Sequence, residues 1–389
     1  MKRALLVLFF AFLAAGVIVS AAVSAQPVNA LSTSNMTASG HVYVNDNTAG
    51  TNTIAGYDRQ PNGALTPISG SPFVTGGAGA GTANASQGSL QISSDGRFLL
   101  AVDAGSGQIS VLRIMPDGSL KIADVVASGG GNPVSIAVHD SLVFVANADP
   151  TSPTYAGFRL NPGGHLKPIP GSTVSLPAGS QPGDILFNGP GSKLAGTRVA
   201  SSLIDSFVVA PDGTLTPAPG SPFPTQAGFF GPLGSEFSPT DPDMLFVSNA
   251  HTASGAPARP GSVSVFGDAP NGVLSPIGGS PFFNDGSASC WVEISHDGRF
   301  LYVVNTASSN ASIYSIAGDG TLSFSGSTSI GGAGAEDARL SPDGQSLWIV
   351  EGGSDAIAGF FVGPDGTLTS LGPSTPGPAG ATPSGIVVN

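Results

Sequence analysis

The chain has a single cysteine, Cys290, in 389 residues, so no internal disulfide can form and closure of the fold must come from strand pairing. Charge is sparse, at 10% of residues, and the basic sign is the scarcer: 13 Lys and Arg against 25 Asp and Glu. A net charge of −12 repels phosphate backbones and anionic lipid, which argues against nucleic acid or a membrane surface as a partner. The five histidines (His41, His139, His165, His251 and His296) are scattered, with no pair at ligand spacing. No loop repeats an acidic ligand pattern, so neither a metal nor another cofactor is expected. Helical periodicity is missing, which removes any strand–turn–helix nucleophile elbow. The run Gly76–Gly81 lacks a Gly-Lys-Ser/Thr ending and reads as a flexible crossing between repeats, not a phosphate loop. Cys290 lies in an apolar strand pattern and reads as a small buried side chain, not a nucleophile.

One long apolar run exists, and it is N-terminal. Lys2 and Arg3 precede Ala4–Val19, and Val23-Ser24-Ala25 supplies small residues before Gln26. Residues 1–25 therefore read as a signal peptide, with a retained anchor as the competing reading. Export follows, to a secreted, periplasmic or cell-surface location. Residues 26–40 are polar, small and aperiodic, and read as a linker.

What is abundant is glycine (56) and proline (33), and they recur with a period. Gly-x-Leu appears at Gly63, Gly118, Gly164, Gly213, Gly272, Gly320 and Gly366, in steps of 55, 46, 49, 59, 48 and 46 residues. The clearest unit runs from Ser289 to Leu322. Cys290–Ile294 is one strand, Asp297-Gly298 a hairpin turn, Phe300–Val304 a second strand and Ala311–Ile316 a third. Gly318-Asp319-Gly320 then turns the chain into a fourth. Units of this length with four meandering strands predict an all-β, seven-bladed β-propeller over residues 41–389. His41–Val44 begins as a second strand, while Thr382–Val388 looks like a first strand without a second. The C-terminal strand is thus expected to complete the N-terminal blade and close the ring. The fifth unit is lengthened by an insertion near His251–Pro260.

Two sets of polar residues are candidates for a site. The seven second strands end in Asp46, Asp103, Asn147, Arg198, Asn249, Asn305 and Glu351, which could ring the mouth of the channel or cap their own loops. Along the innermost strands, one alternation (Leu90, Ile136, Ile185, Val292, Ile386) is apolar and packs between blades. The other carries Asp184, Glu236, Trp291, Glu293, Asp337 and Arg339, expected to face a wet channel. Acids beside an arginine suit general acid–base work or the orientation of a carboxylated ligand. Glu293, Arg339 and Arg198 are the catalytic candidates. Asp103, Asp184, Glu236, Asn249, Trp291, Asp337 and Glu351 are the ligand-binding ones.

From Val42 to Asn389 the chain resembles the seven-bladed β-propeller lactonase family, which includes 6-phosphogluconolactonase-like and carboxymuconate-cyclase-like proteins, and especially its exported branch. The resemblance rests on Ser86-Gln87-Gly88-Ser89-Leu90, Asp95–Leu99, Ala127–Gly130 with Pro133-Val134-Ser135, Cys290-Trp291-Val292, Asp297–Tyr302 and Ser341–Gly344. It implies opening of a small polar lactone in the central pocket by His, Arg and Glu. Where the family pattern resembles Gly-Pro-Arg-His, this chain has Gly231-Pro232-Leu233-Gly234. An acid after Asn or Ser is replaced in Ser248-Asn249-Ala250, and an acid followed by Lys is replaced by Arg198-Val199. Two readings follow: a lactonase-like hydrolase acting on a small polar molecule, or a non-catalytic propeller binding a ligand or a surface protein. A monomer is expected in either case.

Overall fold

The computed structural model describes residues 40–83, 86–252 and 254–389. The expected signal peptide and almost all of the expected linker lie outside these residues. The described chain forms strands and turns, without a helix, in seven antiparallel sheets. Each sheet is one blade of a β-propeller. The innermost strands are Ile386–Val388, Leu90–Ile92, Pro133–His139, Pro182–Phe187, Phe230–Phe237, Ser289–Ile294 and Ala335–Leu340, for blades 1 to 7. Each touches the next, and Ala335–Leu340 touches Ile386–Val388, so the ring is complete.

Local chemistry explains the hairpins. In blade 6, Ser295 Oγ donates to Asp297 Oδ1 (2.7 Å), which also accepts from Arg299 N (3.1 Å), while Phe300 N donates back to Ser295 Oγ (2.9 Å). Gly298 takes a φ of +71° and lets the strands reverse. The ring closes as expected: Val42, Tyr43 and Val44 pair with Val388, Val387 and Ile386. His41 N donates to Asn389 O (3.1 Å) and Asn389 N to His41 O (3.0 Å).

Three details differ from the sequence reading. In five blades the outer strand is broken into two pieces on one partner, as with Leu65–Pro67 and Phe73–Val74, which both pair with Thr53–Arg59. Ser71-Pro72, Ser221-Pro222 and Ser280-Pro281 sit in three of these breaks, where proline has no N–H for the ladder. The fifth-unit insertion is no free loop. It prolongs the hairpin of Met244–His251 with Pro257–Asp268. The Gly76–Gly81 crossing is tied down, with Gly79 N donating to Thr48 O and Gly81 N to Asn47 O (both 2.9 Å).

The apolar core is divided among seven clusters, one for each interface between neighbouring blades. The recurring Gly-x-Leu serves these interfaces. All seven glycines have φ between +77° and +90°. A Cβ on any of them would strike a side chain of the preceding blade: at Gly366 it would stand 2.4 Å from the Phe300 ring. Gly366→Ala is therefore expected to cost about 2–3 kcal/mol, from left-handed strain plus overlap. Gly318→Ala, which meets open space, should be near neutral. Denaturant midpoints of the two variants check this, and equal midpoints would refute it.

Candidate functional site

Blades 4 to 7 send five charged side chains toward the axis. Asp184 accepts from Ser235 N (2.9 Å) and Ser235 Oγ (2.7 Å) of blade 5 and from Ser135 Oγ (3.1 Å) of blade 3. Glu236 Oε2 accepts from Ile294 N of blade 6 (2.7 Å). Glu293 Oε1 accepts from Leu340 N of blade 7 (2.8 Å), and its Oε2 lies 3.3 Å from Arg339 Nη1. Asp337 accepts from Ala338 N (2.9 Å) and from Gly88 N of blade 2 (3.4 Å). Asp184, Glu236 and Glu293 each reach the backbone of the following blade, so the inner strands are stapled together by carboxyl groups. Asp184, Glu293 and Asp337 are buried, whereas Glu236 and Arg339 keep partial exposure. The guanidinium Nε of Arg339 is buried without a partner.

Four carboxyl groups around one guanidinium cannot all ionise cheaply. Burial pushes Asp184 up to about 7, against the hydrogen bonds from Ser235 and Ser135. Burial also lifts Glu293 to about 7, with Arg339 pulling the other way. Glu236 stands well above the carboxylate range through burial and the neighbouring Glu293. Asp337 is raised by burial as well. Burial opposes the charge on Arg339, but Glu293 and Asp337 hold it firmly cationic.

Gln87 ties the inner strands of blades 4, 5 and 6 together: Nε2 donates to Ser235 O and Val292 O (both 3.2 Å), Oε1 accepts from Val292 N (3.1 Å), and its N donates to Gly183 O (3.0 Å). Trp291 Nε1 donates to Ser86 O (2.7 Å). The Trp291 ring belongs to one buried cluster with Val199, Leu233, Ala250 and Cys290. Where the resemblance expects an acid, lysine, arginine, histidine and an acid, this chain has Arg198, Val199, Leu233, Gly234 and Ala250. Val199, Leu233 and Ala250 are apolar and fall in this one cluster, while Arg198 stays charged. Burial pushes the Cys290 thiol up to about 12, so it stays protonated.

The polar ends of the second strands do not meet around one ligand. Each bonds within its own blade or the adjoining crossing, and Asp103 also reaches the preceding blade. Asp103 accepts from Asn52 Nδ2 (2.9 Å), Thr75 Oγ1 (2.6 Å) and Ser110 Oγ (2.5 Å). Arg198 makes a two-pronged pair with Asp205, at 2.6 and 2.5 Å. Asn249 Nδ2 donates to Ser262 and Ser264 Oγ (3.1 and 3.0 Å), and Glu351 Oε1 accepts from Gly332 N (2.8 Å). Among the described residues, no group of three His, Cys, Asp or Glu side chains is placed to hold a metal. Sequence reasoning missed Gln87 as a tie between inner strands and Asp205 as the partner of Arg198. It also missed the irregular register near the start of five inner strands, as between Ser289 and Trp291.

Because the axial carboxyls bind protons more tightly folded than unfolded, their contribution is fully present at acidic pH and is lost as pH rises through about 7. Turn aspartates such as Asp117, lowered by the hydrogen bond from Ser119, act in the opposite sense but below this window. Tm is expected to fall from about pH 5 to about pH 8, and Asp184→Asn should flatten that fall. Melting curves across the range decide it, and a Tm that climbs over the window refutes the idea.

Comparisons with known proteins agree with this geometry. The chain matches the family described as "Lactonase, 7-bladed beta-propeller" over residues 37–179 and 272–382. The unmatched stretch between them spans blades 4 and 5, which carry Val199, Leu233 and Ala250. No curated protein matches the sequence. Among solved structures, a candidate 6-phosphogluconolactonase of Bacteroides uniformis is 19% identical with a TM-score of 0.73, covering 90% of this chain and 99% of the other. The periplasmic gluconolactonase of Pseudomonas aeruginosa is 20% identical with a TM-score of 0.71, covering 90% and 99%. At such identities the likeness speaks for the fold. With more than half of its length matched by the family pattern and all seven blades in place, the chain belongs to the seven-bladed β-propeller lactonase family.

Proposed function

We propose that this chain is a ligand-binding member of the lactonase family that no longer carries out ring opening in the central pocket. The carrying observation is the buried packing of Val199, Leu233 and Ala250 with Trp291, at the positions where the family resemblance expects charged residues. An apolar cluster cannot abstract a proton or stabilise a developing oxyanion. We place the protein outside the cytoplasm, on the strength of residues 1–25. Recovery of the uncleaved chain, still carrying residues 1–25, in the cytoplasmic fraction would overturn that placement.

A second reading, hydrolysis of a small polar lactone, is favoured by Arg339. Its partial exposure leaves a cation able to polarise a lactone carbonyl. Glu293, 3.3 Å from its Nη1, would then take a proton from the attacking water. The two readings separate in one assay. Proton release is followed with a panel of lactones, including 6-phosphogluconolactone, beside an Arg339→Ala, Glu293→Ala double variant. The expected result is no turnover above the spontaneous rate with either protein. Turnover by the unmodified chain that vanishes in the double variant would establish the second reading and remove the first.

A further inference from the structure

At the start of every inner strand one residue lies in the left-handed region. In four blades it is glycine: Gly88, Gly231, Gly334 and Gly385. In the other three it is Asn132 (φ +52°), Gln181 (φ +51°) and Ala288 (φ +55°). The backbone there has a repeated task. The carbonyls of Asn132, Gln181 and Ala288 accept from Ala148 N, Val199 N and Thr306 N, each just beyond the end of a second strand. That task needs no side chain, and glycine performs it without strain. Asparagine tolerates the conformation, but a glutamine is uncommon there, and strained residues of this kind cluster at ligand sites.

Asn132 and Gln181 are also the two that line one cleft. It has a volume of about 450 Å³ and opens on the loop-rich face over blades 3 and 4. That size lies within the usual range for small-molecule sites, roughly 300–1,000 Å³. Both side chains are exposed there. Val134, Pro150 and Pro182 supply apolar wall, and Thr82 also lines the cleft. The Thr82 wall is fixed by Asn47, whose Nδ2 donates to Thr82 O (2.8 Å) and whose Oδ1 accepts from Ala80 N (2.7 Å). No charged side chain lines the cleft among the described residues. The adjacent Asp149 is turned into its own loop, where Oδ1 accepts from Thr151 N (2.8 Å) and Ser152 N (3.0 Å).

The geometry points to this cleft as a binding site for a neutral polyhydroxylated molecule, a sugar or sugar lactone, held by the Asn132 and Gln181 amides. A carboxamide both donates and accepts, as a hydroxyl does, so two amides can each engage neighbouring hydroxyls. The apolar walls meet the C–H faces of the ring. A phosphorylated ligand would call for Arg or Lys, and the cleft offers neither. The choice of ligand class rests on the binding reading above.

The test is isothermal titration of the full chain with D-glucose, maltose and D-glucose 6-phosphate, beside an Asn132→Gly, Gln181→Gly double variant. Glycine suits both backbones, so the variant should fold with an undiminished Tm, which a melting curve checks. A neutral sugar is expected to bind, with its Kd weakened at least about fivefold in the variant, and the phosphorylated sugar to bind no more tightly. Three results would overturn the site: no heat from either neutral sugar at concentrations on the order of 10 mM, an affinity unchanged in the variant, or preference for the phosphate. The second would move the ligand elsewhere on the chain and leave the binding reading standing. Lactone turnover would remove the binding reading without touching this measurement.

Discussion

Ile386–Val388 hydrogen-bonds to Val42–Val44 and so joins the two ends of the described chain within one sheet. Without that ladder, blade 1 would lack its inner strand and both neighbouring blades would lose a packing partner. The dependence is physical. The apolar core lies between blades, so a blade buries its faces only when both neighbours are in place. Seven clusters on seven interfaces make the ring the smallest unit that satisfies them all. The axial staples from Asp184, Glu236 and Glu293 to following strands draw the same interfaces together at their inner edge.

The architecture was legible because its determinants repeat. A glycine that must adopt positive φ and lie against the preceding blade cannot vary, so Gly-x-Leu marks every blade. The closing strand was legible because Thr382–Val388 resembles the other inner strands. The candidate site was legible only in part. Asp184, Glu236, Glu293, Asp337 and Arg339 do converge, and strand alternation was enough to group them. That their oxygens are spent on backbone N–H groups of the following blades could not be read, since it depends on the stagger between blades. The partner of Arg198 was hidden for a different reason, the register within one blade. Asp205 is seven residues away in the chain and stands opposite Gly196, diagonal to Arg198 on the paired strand.

On the proposed reading, the channel has lost one chemistry while the scaffold keeps its shape. Charged side chains in a pocket need water or a partner, and removing one alone leaves the others buried and unpaired. Replacing several together avoids that cost. Val199, Leu233 and Ala250 now pack with Trp291, and Gln87 satisfies backbone groups of neighbouring inner strands. Blades 4 and 5 keep their strands although their sequence departs from the family pattern.

The reciprocal bonds between His41 and Asn389 hold the first and last described strands side by side. The propeller is therefore circular in its contacts although linear in its covalent chain. A seam inside a blade, between its first and second strands, is one of seven equivalent places where such a chain could open. Circular permutation moves that seam from blade to blade, cutting one inner hairpin turn while leaving every interface and staple unchanged. The order in which blades are translated is then free to differ from the order in which they are packed.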